Sequence, residues 1–382
     1  PVVLLALVAR EASSLSLGQF NVSRSTQLLT DHSRQDPFAS TSQPRDVLIS
    51  IFRPASNTCT TYAPTPYMPL KTAQFEDATL GAAYGLPAGT ITNLTLDLAT
   101  CNTTTSPTSP TTILFSPALG TPRHFYTLLA AALASATRAT VITIDHPHDA
   151  AAVEYPNGTL VAGDDIASSD AQIRLAVATR AQDMRFVLDA FAPPSHLDTF
   201  APPSHPHLRP TACGGAPAPP ALAIAIGHSL GGAAALVAAA QDARIAGAVN
   251  IDGSVFFSSS SSNTSVVSQK RTLFLAHAGK DLTTDATWGA AWPRLRGWKR
   301  LLQLEGAAHY TFSDLPALVE GVFGHGGVPE GVREVVGTVG AGVAGRGVLG
   351  VLEAFVGVVG GGGSEEGFGE AVAGLEGIET VV

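Results

Sequence analysis

Cysteine is scarce in this chain: only Cys59, Cys101 and Cys213 occur among 382 residues. A zinc site needs paired ligands at short spacing, so none is expected, and no other metal or organic cofactor is signalled. Charge is sparse too, at 14% Asp, Glu, Lys and Arg with a net charge of -9. The absence of any Lys/Arg-rich run disfavours nucleic acid and anionic membrane surfaces as partners. No uninterrupted apolar run reaches the roughly 20 residues that span a bilayer, so no transmembrane segment is expected. These absences leave a neutral or amphiphilic small molecule as the compatible partner, and they say nothing about oligomeric state.

What is present is a 45% apolar composition, enough for one large core and incompatible with a mainly disordered chain. The opening stretch, Val2 to Ala9, has the length and character of a secretory h-region followed by small residues near Ala12. A first buried strand is the competing reading of the same residues. Five Asn-X-Ser/Thr sequons, at Asn21, Asn93, Asn102, Asn157 and Asn263, also point to a secreted protein, each being a weak signal alone. In an oxidising compartment three cysteines make one disulfide and one odd thiol. Cys59 with Cys101 is the expected pair, since both lie among Thr/Ser-rich loops; the two pairings with Cys213 stay open.

From about residue 46 to residue 320, short β-type runs alternate with helical ones. That alternation predicts an α/β fold, a mainly parallel, doubly wound sheet with helices on both faces. Expected strands are Val47 to Phe52, Thr112 to Ser116, Thr140 to Ile144, Ala221 to Ile226, Ala246 to Ile251, Thr272 to Ala276 and Arg300 to Leu304. Covering helices are expected at Arg123 to Ala136, Gln172 to Phe191 and Leu230 to Gln241. The catalytic domain is placed at residues 20–323, after a leader remnant at 1–12 and with a Pro-rich surface insertion at 191–220. His196, His205 and His207 in that insertion are read as solvated loop residues. The Gly/Val-rich segment 324–382 is expected to hold one docked helix near 348–359 and to be disordered after Gly360 to Gly363.

Gly227-His-Ser-Leu-Gly231 fits the Gly-x-Ser-x-Gly pattern, with an apolar strand before it and an alanine-rich helix after it. At such a turn a serine hydroxyl is lifted clear of the sheet, and flanking glycines remove side chains that would clash. The helix that starts at Leu230 aims its N-terminal dipole at the site, making the Leu230 N–H an expected oxyanion donor. A serine nucleophile needs a histidine to take its proton and a carboxylate to orient that histidine. Downstream of Ser229 stand His277, His309 and His325; His309 follows the last strand and is the expected base. His277 and His325 are read as structural, and His228 as diverging from the serine. Two aspartates, Asp252 and Asp281, each follow a strand, and the residues alone leave both open as the acid.

Six stretches resemble the platelet-activating-factor acetylhydrolase group, especially secreted fungal 1-alkyl-2-acetylglycerophosphocholine esterases. They are Asp31-His-Ser-Arg-Gln-Asp-Pro37, Leu114-Phe-Ser-Pro-Ala-Leu-Gly120, Ile144-Asp-His-Pro-His-Asp149, Gly227-His-Ser-Leu-Gly-Gly232, Asn250-Ile-Asp-Gly253 and Gly306-Ala-Ala-His309. The resemblance implies an α/β-hydrolase fold, Asp252 as the acid with Asp281 as the alternative, and the Leu119 N–H as the second oxyanion donor. The family often has His-Gly where this chain has Pro117-Ala118, a change that leaves a backbone donor in place. The implied substrate is a phospholipid ester with a short or oxidised acyl chain; the residues themselves specify only a carboxylic ester. Cutinase-like or polyester substrates, general lipase-like esters and a peptidase on the same fold are the alternatives. A non-catalytic relative is disfavoured because serine, histidine and an acid are all present. His146 and His148 are candidate pocket residues, and Trp288, Trp292, Phe256 and Phe257 candidate walls of an acyl pocket.

Overall fold

A computed structural model of the chain describes residues 22–56, 58–101, 111–164, 166, 169–191, 222–256 and 268–382. The leader, Asn21, Asn102, Asn263, Cys213, Phe257, the three insertion histidines and the insertion itself beyond Phe191 lie outside the described residues.

Among the described residues nine strands form the main sheet: β1 (Val22–Gln35), β2 (Pro44–Pro54), β3 (Thr112–Ser116), β4 (Thr140–Asp145), β5 (Ala223–His228), β6 (Ile245–Ile251), β7 (Arg271–His277), β8 (Lys299–Leu304) and β9 (Ile378–Thr380). Their order is β1-β2-β4-β3-β5-β6-β7-β8-β9. The six strands from β4 to β8 run parallel, while β1, β2 and β9 pair antiparallel. Each predicted strand is present within a few residues. β1 was not foreseen, because its sequence is mostly polar: it is an edge strand facing solvent on one side, with no apolar run to mark it.

Side chains alternate faces along each central strand. In β5, Ile224 and Ile226 join one apolar cluster while Ala223 and Ala225 join the other. The first cluster is covered by α2 (Thr127–Thr137), α6 (Leu315–Phe323), α7 (Glu330–Val336), α8 (Ala341–Gly360) and α9 (Glu365–Ala373), with α1 (Leu70–Tyr84) at its border. The second is covered by α3 (Asp170–Phe191), α4 (Leu230–Gln241) and the short α5 (Ala286–Ala291). The doubly wound α/β architecture is therefore present, with helices on both faces of a mostly parallel sheet.

The C-terminal segment departs from expectation. It contributes three helices and the strand β9, which pairs with β8 and closes that edge of the sheet. Order continues past Gly360 because apolar residues follow the glycines: Phe368 and Val372 are buried, and Trp298 meets the Phe368 ring at 5.1 Å. Gly361, at φ 79°, ends α8, and Ser364 caps α9 by accepting the Gly367 N–H. The stretch Glu330–Gly360 is long and apolar enough to cross a membrane by length and composition, but half of its 18-residue apolar window is buried inside the fold.

Trp288 is fully buried and packs on Phe274, which Trp292 also meets, at ring distances of 4.8 and 5.5 Å. Trp288 is thus a core residue, while Trp292 and Phe256 are partly buried and pack against the same cluster under β7. Cys59 and Cys101 form a disulfide, as expected. Asn93 and Asn157 are both exposed in turns.

Candidate active site

The turn between β5 and α4 is built by close approach. A Cβ on Gly227 would lie 2.1 Å from the Gly231 carbonyl oxygen, and one on Gly231 would lie 2.0 Å from that of Ser116. Neither contact is possible for a side chain, so both positions require glycine. Ser229 between them sits at φ 55° and ψ -123°, a conformation that costs a non-glycine residue about 1–3 kcal/mol and persists where surrounding structure imposes it. Its N–H is held by the Ile251 carbonyl at 2.8 Å, and its own carbonyl caps the first turn of α4.

Three side chains from three strand ends meet here. Ser229 Oγ is 3.0 Å from His309 Nε2, and His309 Nδ1 is 2.5 Å from Asp252 Oδ2. Asp252 follows β6, whose Ile251 pairs with His228 of β5, so the parallel register alone brings serine and aspartate to the same end of the sheet. His309 hangs from the loop after β8, opening a short 3-10 turn, His309–Phe312. The aspartate side chain is fully buried while that of His309 is 40% exposed, so the relay runs from the interior toward solvent. Asp281 is elsewhere: its Oδ1 accepts the Thr283 and Thr284 N–H groups in an exposed turn.

Ser116 of β3 pairs with Gly227 of β5, so Leu119 and Ser229 leave adjacent strands at the same end. Both residues are half-buried, whereas Ser116, Pro117 and Ala118 are buried. Among the described residues, no backbone oxygen outside α4 itself receives the Leu119 or the Leu230 N–H.

A curated protein of Arthroderma benhamiae, named as a probable 1-alkyl-2-acetylglycerophosphocholine esterase, is 30% identical over 339 residues, covering 84% of this chain and 78% of that protein. The chain belongs to that family. Among solved structures, a ferulic acid esterase from Streptomyces cinnamoneus matches with a TM-score of 0.71 and 26% identity, over 96% of this chain and 98% of that one. No protein-family model matches the chain. This α/β-hydrolase of the platelet-activating-factor acetylhydrolase group is an esterase.

Several groups around Ser229, His309 and Asp252 were not foreseen. His277, read as structural, places Nδ1 2.7 Å from Asp252 Oδ1, and Lys280 Nζ lies 3.6 Å from the same oxygen. Burial alone would raise the Asp252 pKa, but the hydrogen bonds from His277 and His309 and the charge of Lys280 outweigh it and hold the carboxyl well below its usual range. His228 does diverge from Ser229: its Nδ1 meets the Tyr126 hydroxyl at 2.7 Å. Burial, with the nearby His309, pushes its pKa down to about 3, so this imidazole is neutral. His146 is not a pocket residue; it is buried behind β3, bonded to Ser116 Oγ and Asp183 at 2.9 Å each. His148 is paired with Asp164 at 3.1 Å, and His325 with Glu320 at 2.9 Å.

Among the described residues one group, His228, Asp252 and His309, brings metal-type donor atoms within 4.8 Å of one another. Nδ1 of His228 meets Tyr126, the carboxylate meets two imidazoles and His309 also meets Ser229, while the buried Nε2 of His228 has no hydrogen-bond partner. An apolar groove of about 500 Å³ opens between α2, α6 and α8, lined by residues such as Leu128, Phe312, Ala317 and Val348. Ser229 and His309 are not among its lining residues.

Proposed function

We propose that the chain is a serine-dependent carboxylic ester hydrolase acting through an acyl-enzyme on short-acyl glycerophospholipids. The observation that carries the mechanism is the continuous relay from Ser229 Oγ through His309 to Asp252, at 3.0 and 2.5 Å. Ser229 attacks the ester carbonyl while His309 takes its proton through Nε2 and returns it to the leaving alcohol. Asp252 accepts from Nδ1, fixing the tautomer that leaves Nε2 free to act as base, and stabilises the imidazolium that forms. The backbone N–H groups of Leu119 and Leu230 receive the oxyanion, each contributing about 3 kcal/mol to lowering the barrier. Water, activated by the same histidine, then releases the acid.

The phospholipid assignment rests on the name of the fungal relative. The ferulic acid esterase supports a second reading, an ester with an aromatic acyl group. Export fits the disulfide, which persists in oxidising compartments, and the two exposed sequons, Asn93 and Asn157, which would carry glycans there.

The test is fluorophosphonate labelling of the protein and of Ser229→Ala, followed by turnover on glycerophosphocholine esters of graded acyl length, feruloyl esters and polyesters. Labelling abolished in the variant, with a preference for the two-carbon acyl phospholipid, is the expected result. Full labelling and turnover by Ser229→Ala would end the serine mechanism. Preference for the feruloyl ester would move the substrate class.

A further inference from the structure

The loop that carries Leu119 is gripped from behind by a buried arginine far away in sequence. Arg180, on α3, sends Nη1 to the Pro117 carbonyl oxygen and to Ser116 Oγ, the latter at 3.2 Å, and Nη2 to the Ala118 carbonyl oxygen at 3.3 Å. Asp149 holds the guanidinium in place, accepting from Nε at 2.6 Å and from Nη2. Arg180 is 1% exposed and Asp149 2%, so neither is a solvent-screened surface charge.

The direction of one peptide follows from these contacts. In a trans peptide the carbonyl oxygen of one residue and the N–H of the next point in opposite directions, and the described chain has no cis bond. The Ala118 oxygen is turned to Arg180 and also accepts the Thr121 N–H at 3.2 Å, so the Leu119 N–H is turned away from Arg180. A second contact locks the preceding peptide: the Ala118 N–H donates to the Tyr126 hydroxyl at 3.1 Å, and that hydroxyl also meets His228 Nδ1 at 2.7 Å. The loop is thus tied to α3 through its carbonyls and to the residue before Ser229 through its amide.

We infer that Arg180, oriented by Asp149, is the positioning residue for the oxyanion-binding amide of Leu119. It touches no reacting atom; it acts by fixing the Ala118–Leu119 peptide before substrate arrives. A preorganised donor needs no reorientation as charge develops, which is the source of its catalytic value. A planar fork that binds two successive carbonyls and a carboxylate together is specific to arginine; a lysine ammonium lacks that geometry. This inference rests on the serine-esterase reading above.

The test compares wild type with Arg180→Lys and, because a single change leaves Asp149 buried without its partner, with the neutral pair Arg180→Met/Asp149→Leu. Each is assayed for kcat and KM on p-nitrophenyl acetate, for inhibition by a trifluoromethyl ketone that forms a tetrahedral adduct, and for the pH midpoint of kcat/KM. Circular dichroism and thermal melting establish folding. The expected result is a fall in kcat of roughly 10²- to 10³-fold, matched by the same loss of ketone affinity, with KM and the pH midpoint little changed. A folded variant that keeps kcat and ketone affinity within about threefold of wild type overturns the assignment. So does a loss of kcat accompanied by a moved pH midpoint and unchanged ketone affinity, since that pattern locates the effect at His309. Ser229→Ala runs alongside: wild-type turnover there would sink the serine reading itself, whatever the Arg180 variants do.

Discussion

His277 Nδ1 lies 2.7 Å from Asp252 Oδ1, so the carboxylate that meets His309 through Oδ2 is shared between two imidazoles. One buried anion therefore has two neighbours that stabilise its charge, and Lys280 adds a third. Which aspartate meets His309, the question that the residues alone leave open, is answered by this cluster.

Replacing the shared carboxylate removes the group that orients His309. Asp252→Asn is expected to lower kcat/KM on p-nitrophenyl acetate roughly 10³- to 10⁴-fold while the protein stays folded. Asp281→Ala, in its exposed turn, should leave kcat/KM within about twofold. Collapse of activity in the Asp281 variant with a near-normal Asp252→Asn enzyme would reverse the assignment.

His277→Asn leaves Asp252 with fewer partners for its charge. A carboxyl whose folded pKa is depressed contributes stability above its unfolded value, near 4, and loses it as pH falls through the folded value. Without His277 the folded pKa rises, so the variant should be less stable at pH 7 by about 1–2 kcal/mol. The difference should vanish in strongly acidic solution. Urea denaturation at pH 7 and at low pH checks both ends.

Glu76 carries the opposite sign. Burial, reinforced by the Asp145 carboxylate, pushes its carboxyl from 4.5 up to about 8, and its Oε1 has no hydrogen-bond partner. The folded state therefore holds a proton that the unfolded chain releases. This contribution is fully present below 4.5 and is lost as pH rises to about 8. Glu76→Gln removes the titration: it should match wild type near pH 4.5 and exceed its stability at pH 8 by an amount on the order of 2 kcal/mol. Melting temperatures measured across that range decide it; parallel curves would refute the buried proton.

The ordered C-terminal segment can be tested through Phe368, which is 2% exposed against Trp298. Phe368→Ala should cost about 3–5 kcal/mol by the cavity it leaves, with kcat/KM unchanged at low temperature. Wild-type stability would mean that α9 does not pack as described.

The Cys59–Cys101 bond closes a loop with a sequence separation of 42. Cys59→Ala/Cys101→Ala should lose about 2–4 kcal/mol through the freed unfolded chain, measured by denaturation in the absence of reductant.

What the sequence by itself determined is local or ordinal. Alternation of apolar runs specified the parallel sheet, because strands buried on both faces read as continuous Val, Ile and Leu. Glycine spacing around Ser229 specified the turn, because only glycine tolerates those backbone approaches, and chain order placed His309 after the last of the parallel strands, β8. The polar edge strand β1 and, apart from the helix expected near 348–359, the C-terminal elements were not legible, since their order comes from pairing with β2 and β8 and from packing under Trp298. The resemblance implied Asp252, but the residues alone left two carboxylates open, and tertiary structure brought Asp252 to His309, because that meeting depends on the register of the parallel strands. Tertiary structure alone brought Arg180 and Asp149 to the carbonyls of Pro117 and Ala118, and His277 to Asp252. These partners lie tens of residues apart along the chain, and no local pattern encodes their meeting; the burial of the strands between them does.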